Sequence, residues 1–232
     1  MYNTEVRHTV FTKREKIEAS KWSDSKTKRV FEILFSGTLI LLLSPIMIMV
    51  AILNKILDPK YPIIYKQIRL GKNEIPFECY KFRTMIDSHD NGQPSQPKEK
   101  KEFTNVFERT KVTNCKKITP FGALIRKYYI DELPQLFNVL KGDMSLIGPR
   151  PNEKYQIDYI RKSHRDFERL LKIRYSTKPG LTGPWQVDPN KFDLTDREII
   201  QRDIDYIQNA TLKSDIKLSL VTVLRVLGGF GQ

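Results

Sequence analysis

Two adjacent carboxylates, Asp131 and Glu132, stand near the head of the stretch Tyr128 to Pro151, YYIDELPQLFNVLKGDMSLIGPRP, which otherwise combines basic residues with turn formers. A carboxylate can attack an electrophilic centre or help hold a divalent cation, and nearby Arg or Lys can neutralise phosphate oxygens, so the combination suits phosphoryl chemistry. The order Asp-Glu-x-Pro is equally a plain helix-start signal, because acidic side chains favour the positive end of the helix dipole and Pro134 fits a first helical turn. Local sequence leaves both readings open.

The flanking pattern predicts the elements that would place this pair. A helix is expected over Pro120–Lys127, and a second one entered through Pro134 and stopped by Gly142 after Lys141, so Asp131 and Glu132 fall at or just before a helix N-terminus. Upstream, Tyr61–Tyr65 and Phe77–Phe82 flank the turn signal Gly71-Lys-Asn73 and read as a small β-hairpin; it follows the uncharged segment Ile33–Leu53, long enough to enter a membrane, and so brings Lys81 and Arg83 close to a membrane surface. Downstream, Tyr155–Tyr175 reads as one helix with a cationic face, Lys178–Pro184 as a Pro/Gly-rich loop, and Asp196–Leu227 as a final helical region. Residues 87–117 read as a long loop with one short helix, and residues 1–25 as a polar arm with a surface helix around Lys13–Glu18 and Trp22 as an interfacial anchor.

From Ile33 to Leu53 no side chain is charged, about the length of a bilayer-crossing helix. It starts too late and runs too long for a cleavable signal peptide. Ser44-Pro45 near its middle removes one backbone hydrogen bond, and Ser44 is placed to bond a carbonyl freed there. Lys21, Lys26, Lys28 and Arg29 precede the segment, and Lys55, Lys60, Lys66 and Arg69 follow it, so the positive-inside tendency holds both ends on one side. A re-entrant helix broken at Ser44-Pro45 satisfies both observations; a kinked crossing helix is the plainer alternative. The net charge of +13 draws the protein to polyanions without choosing among them. Cys79 and Cys115 suggest neither a disulfide nor a zinc site, and His8, His89 and His164 read as solvated.

Several motifs in the same order resemble the bacterial sugar transferases, the monotopic polyprenyl-phosphate phosphoglycosyl transferases: Ser44-Pro45, Gln67-x-Arg69-x-Gly71, Lys81-Phe-Arg83-Thr-Met85, Gly122-x-x-x-Arg126, Asp131-Glu-Leu-Pro-Gln-Leu136, Asn138 to Ser145, Gly148-Pro-Arg-Pro151, and Pro179-Gly-Leu-Thr-Gly183 with Trp185-Gln186. The resemblance runs from about Lys28 to Leu227. It implies a re-entrant helix, the cytoplasmic face of the bacterial inner membrane, a nucleotide-sugar donor, a polyprenyl phosphate acceptor and Mg²⁺ beside Asp131. It also implies that Asp131 attacks the sugar-linked phosphate to give a covalent phosphosugar enzyme, with Glu132 in support. Lys81, Arg126 and Arg150 are implied as phosphate contacts, Arg83 as a further substrate-binding residue, and Thr182 and Gln186 as donor-site residues. Two features depart from the family pattern. Tyr129 stands where a small or hydroxylated residue is usual, and Asp188-Pro189-Asn190 stands where Gly-Arg is common; both bear on sugar specificity.

The resulting expectation is an α+β, mostly helical, membrane-associated protein. It comprises a polar arm (1–27), a re-entrant Ser-Pro-broken helix (28–57) and a cytoplasmic catalytic domain with a small hairpin and membrane-surface helices (58–232). Nucleic acid is not an expected partner, and a homodimer is compatible with the sequence. The competing reading, a basic membrane-tethered module that binds nucleic acid or anionic lipid, explains charge and anchoring but not the Asp-Glu-Leu-Pro-Gln and Gly-Pro-Arg-Pro motifs.

Overall fold

The computed structural model describes residues 19–86, 117–191 and 193–229. The expected helix around Lys13–Glu18 lies outside them, as does the 87–117 loop except for its last residue. Among these residues helices dominate and the strands form three separate two-stranded pairs, in keeping with the α+β expectation.

Helix α1 spans Lys26–Leu57, its N-terminus capped by Ser25, whose hydroxyl accepts Lys28 N at 3.0 Å. At 1.5 Å per residue its 32 residues run about 48 Å. By length and composition it is apolar enough to cross a membrane. The chain stays helical on both sides of Ser44-Pro45. Pro45 cannot bond the carbonyl four residues back, and the Ser44 hydroxyl donates to that same Leu41 carbonyl at 2.8 Å, as the sequence suggested. One face of α1 packs on the rest of the molecule through Lys28, Glu32, Ser36, Val50 and Asn54; the other exposes Leu34, Leu41, Leu42, Ile48, Ile52 and Ile56. Such a face is far more apolar than a soluble surface needs.

Both ends of α1 are gripped. At the start, Lys28 Nζ lies 3.0 Å from Asp215 and bonds the Tyr206 hydroxyl at 3.0 Å, Arg29 donates to the Val139 and Leu140 carbonyls at 2.6 and 2.8 Å, and Glu32 accepts Leu146 N at 3.1 Å. At the finish, Arg83 donates to Asn54 O at 2.8 Å, Asp58 Oδ2 at 3.0 Å and Pro62 O at 3.2 Å, while Val50 packs with Phe82 and Ile125. Arg83 is therefore a buried clamp on α1 rather than a substrate-binding residue, because its guanidinium is consumed by these acceptors. Trp22 is likewise a packing residue, donating to Asp215 at 2.9 Å beside the main core rather than standing at the surface as an anchor.

The expected hairpin forms from β1 (Ile64–Leu70) and β2 (Pro76–Phe82), antiparallel with Lys81 opposite Tyr65. Its first strand starts after Pro62, which has no N–H to give a ladder. Two further short pieces, β3 (Met85–Ile86) and β4 (Lys117–Ile118), pair antiparallel. Helix α2 (Pro120–Lys127), capped by Thr119, and helix α3 (Gln135–Lys141), closed by Gly142 at φ 93, match the expectation. The side chain of Asn138 on α3 is wholly buried: it accepts Tyr80 N at 3.0 Å and donates to Glu78 O at 2.6 Å, locking α3 to β2.

Three departures follow from local geometry. The helix expected over Tyr155–Tyr175 is two, α4 (Lys154–Ser163) and α5 (Glu168–Arg174), because His164 leaves helical space at φ −139, ψ 86 and lets Phe167 turn into the core. The final region divides into α6 (Asp196–Asn209) and α7 (Leu212–Leu227), each begun by a threonine capping box. The Pro/Gly loop contains a strand, β6 (Gly180–Thr182), that pairs in parallel with β5 (Ser145–Ile147). The main core, including Leu136, Val139, Met144, Ile157, Phe167, Leu171, Ile204 and Ile207, joins the helices under this pair.

Candidate active site

Asp131 and Glu132 occupy a single 3-10 turn, Ile130–Glu132, between α2 and α3. The turn begins at Tyr129 in the left-handed region (φ 55, ψ 16), a conformation that costs a side-chain-bearing residue about 1–2 kcal/mol. Both carboxylates are 8% exposed. Glu132 Oε1 accepts Lys81 Nζ at 2.6 Å from β2 and Arg150 Nη2 at 3.0 Å from the loop after β5. Burial alone would push its carboxyl up, but the Arg150 and Lys81 cations and their hydrogen bonds outweigh it and hold Glu132 well below the usual range.

Asp131 has the opposite fate. Among the described residues no hydrogen bond or ion pair takes its carboxylate, and burial pushes it up to about 6 against the pull of Lys81, with Glu132's charge adding to the rise and Arg126 and Arg150 opposing it. The result is one carboxylate spent on fixing two cations and a second left available among three. A raised, unengaged carboxyl beside cations is the arrangement expected of a reactive group.

The cations are positioned by backbone. Each carbonyl from Pro149 to Asn152 is bound: Pro149 O accepts Gly180 N at 2.8 Å, Arg150 O accepts Arg174 Nη2 at 2.8 Å, Pro151 O accepts Arg69 Nη1 at 2.7 Å and Asn152 O accepts Leu70 N at 2.9 Å. Gly148 N donates to Thr182 O at 2.9 Å. A Cβ on Gly180 would lie 2.1 Å from Gly148 N, so the two loops meet backbone to backbone at a place only glycine fits. Lys81 is fixed by the hairpin ladder, and Arg126 sits in the last turn of α2, close enough to Asp131 to act on it electrostatically.

The structure thus brings together Lys81, Arg126, Asp131, Glu132 and Arg150, but not the other expected site residues. Arg83 clamps α1, as described above. The Thr182 hydroxyl meets that of Thr222 on α7 at 2.9 Å, and Gln186 Nε2 reaches Leu181 O at 3.4 Å, so neither side chain contacts the carboxylate pair. Three supporting residues escaped the sequence reading. Arg69 stands in a quoted motif and among the flanking positive charges, with no part in the site attached to it. Arg174, 3% exposed, pairs with the wholly buried Asp203 at 2.7 Å. The signal for that pair was available: Asp203 breaks an otherwise apolar stripe of Ile199, Ile200, Ile204 and Ile207, and a charge on a core-facing stripe calls for a partner.

Among the described residues no group of three or more His, Cys, Asp or Glu is arranged to hold a metal. The donor set still fits Mg²⁺, which commonly takes one or two carboxylates and completes its shell with substrate phosphate and water. Asp131 is the carboxylate with oxygens to give; those of Glu132 are contested by Lys81 and Arg150.

Residues 23–229 match the family model described as bacterial sugar transferase. The chain is 36% identical over 236 aligned positions to an undecaprenyl-phosphate galactose phosphotransferase of Salmonella typhimurium, covering 98% of this chain and 47% of that protein. It is 37% identical over 210 positions to a UDP-N-acetylgalactosamine-undecaprenyl-phosphate N-acetylgalactosaminephosphotransferase of Aeromonas hydrophila, covering 88% of this chain and 44% of that protein. With the exopolysaccharide production protein ExoY of Rhizobium meliloti it shares 32% identity over 197 positions, covering 84% of this chain and 83% of that one. The chain therefore spans about half the length of the first two relatives and most of the third.

Proposed function

Because this chain belongs to the bacterial sugar transferase family, we propose that it transfers a sugar 1-phosphate from a nucleotide diphosphate sugar, a UDP-sugar, to polyprenyl phosphate, undecaprenyl phosphate, as the opening step of a surface glycan. The observation that carries the reading is the division of labour between adjacent carboxylates: Glu132 holds Lys81 and Arg150 in place, and Asp131 is left without a partner in their field.

In the first half-reaction an Asp131 oxygen attacks the sugar-linked phosphorus, a new O–P bond forms, the bond to the nucleoside monophosphate breaks, and that group departs with the electron pair. In the second, an oxygen of polyprenyl phosphate attacks the same phosphorus and the Asp131 carboxylate leaves. Lys81, Arg126 and Arg150 offset the anionic oxygens that would otherwise repel a carboxylate. A Mg²⁺ held by Asp131 and the donor's phosphates would supply further neutralisation of the diphosphate. The acceptor phosphate is already ionised near neutral pH, so Glu132 serves as a positioning group and no general base is needed.

For the setting, we read α1 as re-entrant and the site as lying at the cytoplasmic face of the inner membrane. Basic residues at both ends of α1, the Ser44-Pro45 interruption, and the grip of one domain on both the Lys28–Glu32 and the Asn54–Asp58 ends support this. The non-enzymatic alternative gains no support from relatives named as phosphotransferases.

The test is nucleoside monophosphate release. Purified protein given a panel of UDP-sugars, undecaprenyl phosphate and Mg²⁺ is expected to release UMP from at least one donor, and a donor labelled in its sugar-linked phosphate is expected to leave label on the wild-type protein but not on Asp131→Asn. Full transfer by Asp131→Asn would overturn the assignment of the nucleophile.

A further inference from the structure

Tyr129, beside the turn that carries Asp131, meets a residue 62 positions further along the chain: Lys191 Nζ donates to the Tyr129 hydroxyl at 2.8 Å and lies 5.4 Å from the centre of its ring. We propose that Tyr129 and Lys191 together form a specificity-determining wall for the sugar of the donor, a reading that rests on the transfer reaction proposed above.

Tyr129 immediately precedes the turn that carries Asp131, and Glu132, Arg150 and Asp131 all act on its hydroxyl through space. Whatever sugar is attached to the phosphorus that Asp131 attacks is only one bridging oxygen away from that phosphorus, so it must lie against the surroundings of this turn. The ring is partly exposed. An aromatic face suits the C–H face of a pyranose, and an ammonium held at its edge suits an acceptor oxygen of a particular hydroxyl or acyl group.

The backbone argues for a purpose as well. A left-handed φ of 55 is served with less strain by glycine or asparagine, and a tyrosine there is a marked outlier. Strained residues of this kind gather at ligand sites, where what they contact offsets their cost.

Lys191 is not a loose surface lysine. Its segment is folded on itself: Asp188 Oδ1 accepts Asn190 N at 2.8 Å, Lys191 N donates to Asp188 O at 3.3 Å, and the Asp188 carboxylate pairs with Arg202 of α6. The departure at Asp188-Pro189-Asn190 thus builds the turn that delivers Lys191 to Tyr129.

The experiment compares kcat/KM across UDP-glucose, UDP-galactose and their N-acetyl counterparts for the wild type, Tyr129→Ser, Tyr129→Phe and Lys191→Met. Lys191→Met, on a surface turn, tests the wall even if Tyr129→Ser misfolds. The wild type is expected to prefer one donor. Tyr129→Ser and Lys191→Met are each expected to shrink the ratio of best to second-best donor at least tenfold, the range expected when one polar contact to a substrate is lost. Tyr129→Phe, which keeps the ring and loses the hydroxyl, should act as Lys191→Met does, and combining the two should add nothing. Variants that slow every donor by the same factor, or a wild type that treats all four alike, would overturn the wall while leaving the transfer reading intact. A wild type that releases UMP from no donor would overturn both.

Discussion

Asp131 and Glu132 are neighbours in the chain, equally buried, yet their carboxyls are driven apart: Glu132 is held low by Arg150 and Lys81, whereas Asp131 is pushed up by burial to about 6. Raising a carboxyl from its ordinary value near 3.8 to about 6 corresponds to about 3 kcal/mol, with a definite sign. The folded state binds this proton more tightly than the unfolded state, so folding stability falls as pH rises through the window from about 4 to 6, and at pH 7 the ionised group is a net cost. Asp131→Asn is therefore expected to raise the unfolding free energy at pH 7 by on the order of 2–3 kcal/mol while abolishing UMP release, and to have no effect on stability below about pH 4. Unfolding in detergent followed at several pH values checks it; an Asn variant less stable than wild type at pH 7 contradicts the electrostatic account.

On the proposed mechanism, the same raised carboxyl is expected to set the acid limb of catalysis. An attacking carboxylate must be ionised, so kcat/KM for the donor should fall with a single-proton slope below a midpoint near 6. Lys81 is the strongest of the cations favouring the ionised form and Glu132 opposes it. Lys81→Met should move the midpoint up, with a loss of about 100-fold in rate at neutral pH, and Glu132→Gln should move it down. Stopped-flow UMP release from pH 5 to 8 distinguishes these directions, and an unmoved limb in both variants would remove Asp131 as its source.

The Gly148–Gly180 contact is a test of the scaffold alone. A methyl on Gly180 would sit 2.1 Å from Gly148 N and 2.6 Å from Gly148 O, both backbone atoms with nowhere to go. Gly180→Ala is expected to cost about 3 kcal/mol or more, or to release the Arg150 loop and remove activity. Gly37→Ala on α1, with nothing within 4 Å of the added methyl, is the control and should be tolerated.

Much of this arrangement was legible in the sequence because it is local. Helices α2 and α3, the stop at Gly142 and the bond from Ser44 to Leu41 O follow from caps, proline and glycine chemistry within a few residues. What was not legible depends on contacts between distant segments. The pattern gave Arg83 the same surface reading as Lys81, although Lys81 lies within β2 and Arg83 just past its end, and the two meet different neighbours: Lys81 meets Glu132, Arg83 the end of α1. The parallel pairing of Ser145–Ile147 with Gly180–Thr182 was hidden because each strand is three residues long, too short to show a period. The break at His164 depends on Phe167 finding a place in a core assembled from other helices.

Arg174 joins the buried Asp203 to the carbonyl of Arg150. Removing the cation leaves a buried carboxylate, so Arg174→Met is expected to cost about 3–5 kcal/mol. Arg174→Lys keeps a charge beside Asp203 but loses the second arm of the fork, so it should cost about 1 kcal/mol of stability and lower kcat about tenfold through a displaced Arg150. Urea unfolding alongside donor turnover separates the two effects, and Arg174→Lys with wild-type kcat would show that the Arg150 carbonyl contact does not matter.

The proposed re-entrant path of α1 is testable at its two ends. A straight helix of 32 residues, about 48 Å, would cross a hydrocarbon core of about 30 Å and carry Asn54 and Asp58 away from Arg83, which is bonded to both. A re-entrant path leaves those bonds and the Arg29 bonds to Val139 and Leu140 intact at once. Cysteines replacing the exposed Lys26 and Lys60 are therefore both expected to react with a membrane-impermeant maleimide in inside-out vesicles and neither in right-side-out cells. Pro45→Ala restores the backbone N–H that Leu41 O lacks, which favours the straight path; part of the population should then label at position 60 from outside, with activity falling in proportion as the Arg83 clamp is pulled from α1. Labelling of position 60 from outside in the wild type would establish a crossing helix instead.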